Sequence, residues 1–402
     1  NITVEDAEAS LNHSKAKVTY LNIITTGPQI NFTAASSDLM LQDIFPYLDF
    51  IPSGIDGNYK GAASYRAHKL NLEGDLSNGS FLKTKNLITG VNAKISVKNN
   101  VFSHENISFT FRNKPASISI ASLDESLENF AANISIPDAE ADDFSILGEA
   151  LSQSKSSPSK TTVKGTLSLG QIKFKKGVAE KVNLKFSKSG NTLSVPSISF
   201  NLFDALFAGE FYISDLSGKG NGNFKMRFSN LKIQKLSELD DNFSDRAFGI
   251  AEGKAEGNFS LSATKISDEL NYHSEFSITN GKITNTGLQN NLGFLLDPLK
   301  HKLRDIEFNR IYGSFDAYGP KYSIRQIAFT SRDIKLSVAG DVNKDKSGNI
   351  NIKLEFNNDF IADIPNIAYI NLSKYKSGKW YLIPIRAKGS DITKKDNYNI
   401  VD

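Results

Sequence analysis

Apolar residues occupy every second position along much of the chain. The range 107–111 is Ile-Ser-Phe-Thr-Phe, and the range 224–228 is Phe-Lys-Met-Arg-Phe. A period of two is typical of a β-strand with one apolar face and one face in water. The pattern therefore predicts a mainly β protein whose strands bury one side only.

Short turn sequences separate these strands. Examples are Ser-Asn-Gly at 77–79 and Lys-Ser-Gly-Asn at both 188–191 and 346–349. Turns of this kind join neighbouring antiparallel strands. At roughly 8 to 12 residues per strand, the chain would form an antiparallel sheet of about 25 strands. That number is too large for one ordinary sandwich.

Four segments have helical spacing with capping residues in place of alternation. They cover 37–48, 138–151, 231–248 and 288–303, and Pro298 should kink or end the last one early. The sequence therefore predicts a few short helices between long runs of strands.

The first three helices indicate an internal repeat. Their starts at Leu39, Glu140 and Ile233 are roughly 100 and 90 residues apart, and each helix is followed by a strand containing glycine. A module of one short helix plus several strands therefore recurs. The predicted modules are an N-terminal module at 1–137, a middle module at 138–230 and a C-terminal region at 231–402.

Composition narrows the possible functions. The 402 residues carry a formal net charge of only +3, which gives no reason to expect a nucleic-acid partner, and they include no cysteine, which excludes disulfides and thiolate chemistry. The longest apolar stretch, 198–213, is interrupted by Asp204 and Glu210 and is too short to span a bilayer. The chain opens on Asn1 without a signal sequence, which suggests a portion of something longer.

Signatures of catalysis and metal binding are missing. The sequence has no G-x-S-x-G, P-loop or H-E-x-x-H motif, and its five histidines show no ligand spacing. We therefore expect no enzyme activity, no catalytic residue, no metal and no cofactor.

The feature that remains is the apolar face shared by many strands. It has two interpretations: a dry core between two packed sheets, or a single long sheet curled into a trough whose apolar face binds a ligand. Alternation alone leaves both open. The candidate ligand-contact residues are Phe109, Phe111, Phe186, Phe224, Met226, Phe228, Phe276, Ile278, Leu336, Val338, Ile352, Leu354 and Phe356.

Patterns in the C-terminal part resemble the AsmA-like family of bacterial envelope proteins, and the range 31–239 resembles that family's repeated body more loosely. The shared patterns are spacings of glycine, proline and apolar residues without invariant catalytic groups. They lie at 249–261, 276–283, 295–299, 308–315, 327–331, 334–342 and 381–389.

The resemblance implies an elongated, twisted sheet curled into a U-shaped groove in the periplasm. Such a groove transfers phospholipid between the inner and outer membranes without chemistry, and an N-terminal helix absent from this chain would anchor it in the inner membrane. The expected partners are phospholipid and the two membranes. An alternative is an envelope scaffold that assists outer-membrane protein assembly, in which exposed sheet edges pair with a strand of that protein.

Overall fold

The structure is a computed structural model that describes most of the chain. Strands make up 79% of the described residues and helices 7%, so the expectation of a mainly β protein with a few short helices is confirmed. The described residues are 2–24, 29–40, 43, 55–66, 69–81, 87–102, 105–126, 128–143, 161–174, 176–216, 220–238, 247–261, 269–284, 306–362, 373–392 and 394–401.

The chain divides into two compact units, Asn1–Phe200 and Asn201–Asp402, and β13 (Thr192–Leu202) crosses the boundary. The earlier strands are β1 (Ile2–Leu11), β2 (Ser14–Ile24), β3 (Gln29–Met40), β4 (Ile55–Arg66), β5 (Lys69–Phe81), β6 (Ile88–Lys98), β7 (Val101–Phe102), β8 (Glu105–Phe111), β9 (Lys114–Ser122), β10 (Asn129–Glu140), β11 (Thr162–Phe174) and β12 (Gly177–Ser189).

The second unit contains the remaining strands. They are β14 (Ala205–Ile213), β15 (Asn221–Lys232), β16 (Ala247–Ser260), β17 (Asn271–Ile283), β18 (Ile306–Tyr318), β19 (Lys321–Thr330), β20 (Ile334–Asn343), β21 (Gly348–Asn357), β22 (Lys376–Ser377), β23 (Trp380–Gly389) and β24 (Tyr398–Ile400). Neighbours from β14 to β21 pair antiparallel, β21 continues to β23, and β23 also pairs with β22 and β24.

Strand pairing in the first unit departs from the antiparallel expectation at one place. The described neighbours from β1 to β12 pair antiparallel except β10 and β11, which run parallel with Ile134 opposite Leu167. A parallel pair needs a crossover connection, and here the connection begins with a helical turn at 141–143. The sheet is therefore mixed, not purely antiparallel.

The helices begin later than the sequence predicts. Residues 37–40 belong to β3 and residues 138–140 to β10; helical structure is described at Asp43 and at 141–143. Strand pairing overrides the local capping signal at both places because these residues extend strands already paired with a neighbour. The rest of both predicted helices lies outside the described residues.

The third predicted helix is shorter than expected. A 3₁₀ helix covers Ile233–Glu238, while Leu231 belongs to β15 and Phe248 to β16. The fourth, at 288–303, lies outside the described residues. An α-helix at Asn358–Ala362 and 3₁₀ turns at Ser373–Tyr375 and Lys395–Asn397 were not predicted, since each has five residues or fewer.

The largest buried cluster lies in the second unit on one face of the sheet. Strands β18 to β23 contribute its aliphatic and aromatic residues, and Ile361 of the α-helix packs against them. A smaller cluster in the first unit gathers Phe109 and Phe111 with Leu87 and Val91. Each unit therefore has its core on the apolar face that alternation predicts.

Candidate functional site

A row of apolar residues and glycines crosses the sheet of the second unit, perpendicular to the strands. Residues paired across neighbouring strands share one face, so the register defines the row. It crosses every strand from β14 to β24 except the two-residue β22. Row 1 consists of Phe207, Phe228, Gly253, Phe276, Gly313, Ile327, Val338, Ile352, Ile385 and Ile400.

A second row runs beside the first on the same face, two residues away along most strands. It begins in β15 and ends in β23. Neither row contains a charged residue. Row 2 consists of Leu231, Ala251, Ile278, Ile311, Phe329, Leu336, Leu354 and Ile383.

All the candidate residues of the second unit lie on this one face. Phe228, Phe276, Val338 and Ile352 are in row 1, and three others are in row 2. The rest share the face because they lie an even number of residues away on the same strands. The row 2 candidates are Ile278, Leu336 and Leu354, and the remaining ones are Phe224, Met226 and Phe356.

The first unit has an equivalent row. It crosses every strand from β3 to β12 except the two-residue β7. The candidates Phe109, Phe111 and Phe186 lie on the same face as this row, two or four residues from its members. Its members are Leu39, Tyr59, Leu76, Ala93, Ile107, Ile118, Ile134, Leu167 and Leu184.

The candidates differ in how far the protein itself covers them. Some are buried within the core clusters; Leu354, at 0% exposure, is the extreme case. The others are only half-buried, so the apolar face keeps accessible surface. The buried candidates are Phe109, Phe111, Ile352, Leu354 and Phe356, and the half-buried ones are Phe186, Phe224, Met226, Phe228, Phe276, Ile278, Leu336 and Val338.

The opposite face of the second unit is polar and carries ion pairs between neighbouring strands. Lys225 Nζ lies 3.8 Å from Glu210 Oε1, and Lys254 Nζ lies 3.0 Å from Glu275 Oε2. These side chains are exposed, so each pair contributes little to stability. Their arrangement keeps charge on the water face and away from the apolar rows.

A tighter network on the same polar face centres on Asp316. Its carboxylate accepts hydrogen bonds from Arg325 Nε at 2.5 Å and Nη2 at 3.0 Å, and His273 Nδ1 lies 2.9 Å from Oδ1. The bonds from Arg325 lower the pKa of Asp316, and desolvation opposes this without reversing it. The network links β17, β18 and β19.

Among the described residues, no group of three or more histidine, aspartate or glutamate side chains could hold a metal ion. No helix within the described ranges is long and apolar enough to cross a membrane.

Sequence reasoning missed the glycines that lie within the rows. Gly253 pairs with both Phe228 and Phe276, and Gly313 pairs with Phe276. A methyl group at Gly253 would lie 2.8 Å from Cε1 and Cζ of the Phe228 ring, so the ring extends over this glycine. A glycine at an apolar-face position of an alternating strand was the available signal.

No family model, no curated protein and no solved structure matches this chain. The apolar rows are therefore the basis for a functional proposal.

Proposed function

We propose that the chain binds phospholipid by its acyl chains along the apolar rows and transfers it across the periplasm between the inner and outer membranes. The observation that carries the proposal is row 1: an uncharged apolar row that crosses one strand after another and retains half-buried members such as Phe228, Phe276 and Val338. The elongated U-shaped groove is part of this proposal.

The direction of the rows suits an alkyl chain. A row perpendicular to the strands repeats at ~4.8 Å per strand, which makes row 1 about 40 Å long. One leaflet of a bilayer has a hydrocarbon thickness of roughly 15 Å, half of the ~30 Å core. A row therefore exceeds the length of one acyl chain, and a chain could slide along it without crossing a polar position.

The energetics favour lipid transfer along an apolar face without a chemical step. Exposing about 30 methylenes of a diacyl lipid to water costs on the order of 24 kcal/mol, at ~0.8 kcal/mol per methylene. An apolar face removes most of this cost at every step. The head group stays in water, so the protein needs no strong charge to hold it, in agreement with the net charge of +3.

Lipid uptake by the purified chain tests this function. The chain would be mixed with vesicles of palmitoyl-oleoyl phosphatidylethanolamine and phosphatidylglycerol that contain a trace of fluorescent phospholipid, then separated from them by size exclusion. We expect fluorescence to elute with the protein and to appear in acceptor vesicles added afterwards. A protein peak without fluorescence would contradict the proposal.

The scaffold alternative predicts a different result. Crosslinking in the periplasm of a producing bacterium would then recover an outer-membrane protein joined to a sheet edge, and the purified chain would take up no lipid.

A further inference from the structure

Two phenylalanine rings of row 1 lie across the neighbouring strand, each over a glycine. A methyl group at Gly313 would lie 2.8 Å from both Cε1 and Cζ of Phe276 and 3.0 Å from Cγ1 of Ile327. Real Cβ atoms essentially never approach another heavy atom to less than 3.0 Å. Phe228 lies equally close to Gly253, where a methyl group would also lie 2.7 Å from the backbone oxygen of Glu275.

Cross-strand pairing explains why the rings reach so far. Phe276 is the direct partner of Gly313, and Phe228 is the direct partner of Gly253. Cα atoms of directly opposed residues are about 4.5–5.5 Å apart, so a ring whose Cζ lies above its partner must lie along the sheet surface. An upright ring would end above its own strand.

The two pairs are consecutive on row 1. Gly253 is also the partner of Phe276, and the Phe207 ring stacks on Phe228 with centroids 5.7 Å apart and planes 28° apart. Phe207, Phe228 and Phe276 are all half-buried. The rings together form a low aromatic surface across β14 to β18.

The same arrangement also occurs where the protein covers it. Phe308 is paired with Gly281 and its ring lies over that glycine, but Phe308 is buried in the core cluster. An aromatic ring over a glycine can stabilise a strand pair by itself. A functional role must therefore be separated from this structural one.

We propose that Gly253 and Gly313 are positioning residues for acyl chains, an inference that rests on the proposed function. Without a side chain, each glycine lets the ring of its partner lie flat and keeps space above row 1. An unbranched alkyl chain contacts the flat rings with its methylenes. A methyl group at either glycine raises the ring into the path of that chain.

Gly313→Ala tests this inference because the new methyl meets only side-chain atoms at its three nearest contacts. The readout is the number of phosphatidylethanolamine molecules bound per folded chain, measured by native mass spectrometry after vesicle incubation. We expect at least about a threefold loss, and Phe276→Ala combined with Gly313→Ala should bind as Phe276→Ala alone does. Wild-type binding by Gly313→Ala would overturn the inference and leave the proposed function intact.

Gly257→Ala is the control for steric strain that involves no ring of row 1. Gly257 lies on the same face as Gly253, four residues further along β16, but a methyl there would clash with Asn271 O and lie 2.6 Å from the Cβ of Tyr272, so it displaces the neighbouring strand and not a ring. Lipid bound per folded chain should fall less than in Gly313→Ala. An equal loss in this variant would show that strain on the face, not the position of the ring, determines binding, and would overturn the inference.

A measurement on the wild type covers the case in which Gly313→Ala does not fold. A ring above a glycine shifts its Hα resonances upfield, so Gly253 and Gly313 should show such shifts in NMR spectra and change them when phosphatidylethanolamine is bound. Bound lipid with unchanged glycine resonances would overturn the inference alone. Absence of any bound lipid would overturn both it and the proposed function.

Discussion

Arg112 Nε donates hydrogen bonds to both carboxylate oxygens of Asp143, at 2.9 and 2.7 Å, and the Asp143 side chain is completely buried. Arg112 lies in the turn between β8 and β9 with φ of 51°, and Asp143 lies in the helical turn after β10, 31 residues further along. Glu140 accepts two more bonds from the same guanidinium at 2.8 and 3.0 Å. The contact fastens the helical turn to the end of the sheet.

Asp43 forms the equivalent contact near the start of the chain. It accepts hydrogen bonds from the His13 amide at 3.0 Å and from Ser14 Oγ at 2.9 Å. Asn12, a third donor to this carboxylate, lies 31 residues before Asp43. Asp43 follows β3 and contacts the turn between β1 and β2, and Asp143 follows β10 and contacts the turn between β8 and β9. In both places an acidic residue after a strand is attached to an earlier turn.

Arg112→Ala should destabilise the first unit strongly. The variant leaves the buried Asp143 carboxylate without its guanidinium, and because Arg112 is itself 36% exposed the cost should be about 1.5–3 kcal/mol, the range for a hydrogen bond to a charged group. Arg112→Lys retains the charge but loses the bidentate hydrogen bonding of the guanidinium, so it should lower the free energy of unfolding by less than Arg112→Ala does. Urea denaturation followed by circular dichroism measures the free energy of unfolding of both variants. A loss below about 1 kcal/mol for Arg112→Ala would show that this contact does not stabilise the first unit.

Asp43 should make stability depend on pH. Burial raises the pKa of its carboxyl, but hydrogen bonds from Ser14 and His13 outweigh it and leave the pKa below its ordinary value. A carboxyl with a lowered folded pKa stabilises the protein above its unfolded pKa of about 3.9, and this contribution is lost as pH falls through the folded pKa.

Asp43→Asn should therefore be less stable than the wild type at neutral pH and should lose less stability below about pH 4. The measurement is the thermal unfolding midpoint as a function of pH. Asp75→Asn, at an exposed position, is the control and should follow the wild-type curve. An Asp43→Asn curve parallel to that of the wild type would show that this carboxyl does not couple folding to protons.

Phe228→Asp should abolish lipid uptake, because it places a charge on row 1 where an acyl chain would lie. Arg227→Asp is the matched control: the adjacent residue points to the polar face, is exposed, and should leave uptake within about twofold of the wild type. Fluorescent phospholipid recovered with each folded variant gives the comparison. Equal uptake by both variants would show that lipid binding does not depend on row 1.

The faces of the sheet could be predicted from sequence because alternation assigns each residue of a strand to one side. Phe228 and Phe276 were placed on the apolar face in this way, without knowledge of their neighbours. Burial could not be predicted: Leu354 is covered completely while Leu336, its partner in the next strand, is only half-buried. That difference depends on the chain segments that pack over each strand.

The register of strand pairing could not be predicted from the sequence either. The pairing shifts between Phe228 and Leu231, where Asn230 has a φ of 61°, so counting residues from the turns does not give the partners further along. The match of Phe276 with Gly313 also emerged only from the structure, because β17 ends at Ile283 and β18 begins at Ile306, so no short turn sets their register. The parallel pairing of β10 with β11 was missed because hairpin-like spacing was applied to a connection that starts as a helix.

Native mass spectrometry of the gently purified chain tests the central claim most directly. The proposal predicts mass additions that correspond to phospholipids, removed by Phe228→Asp and retained by Arg227→Asp. A wild-type chain that carries no lipid after purification, and still carries none after incubation with phospholipid vesicles, would contradict the account.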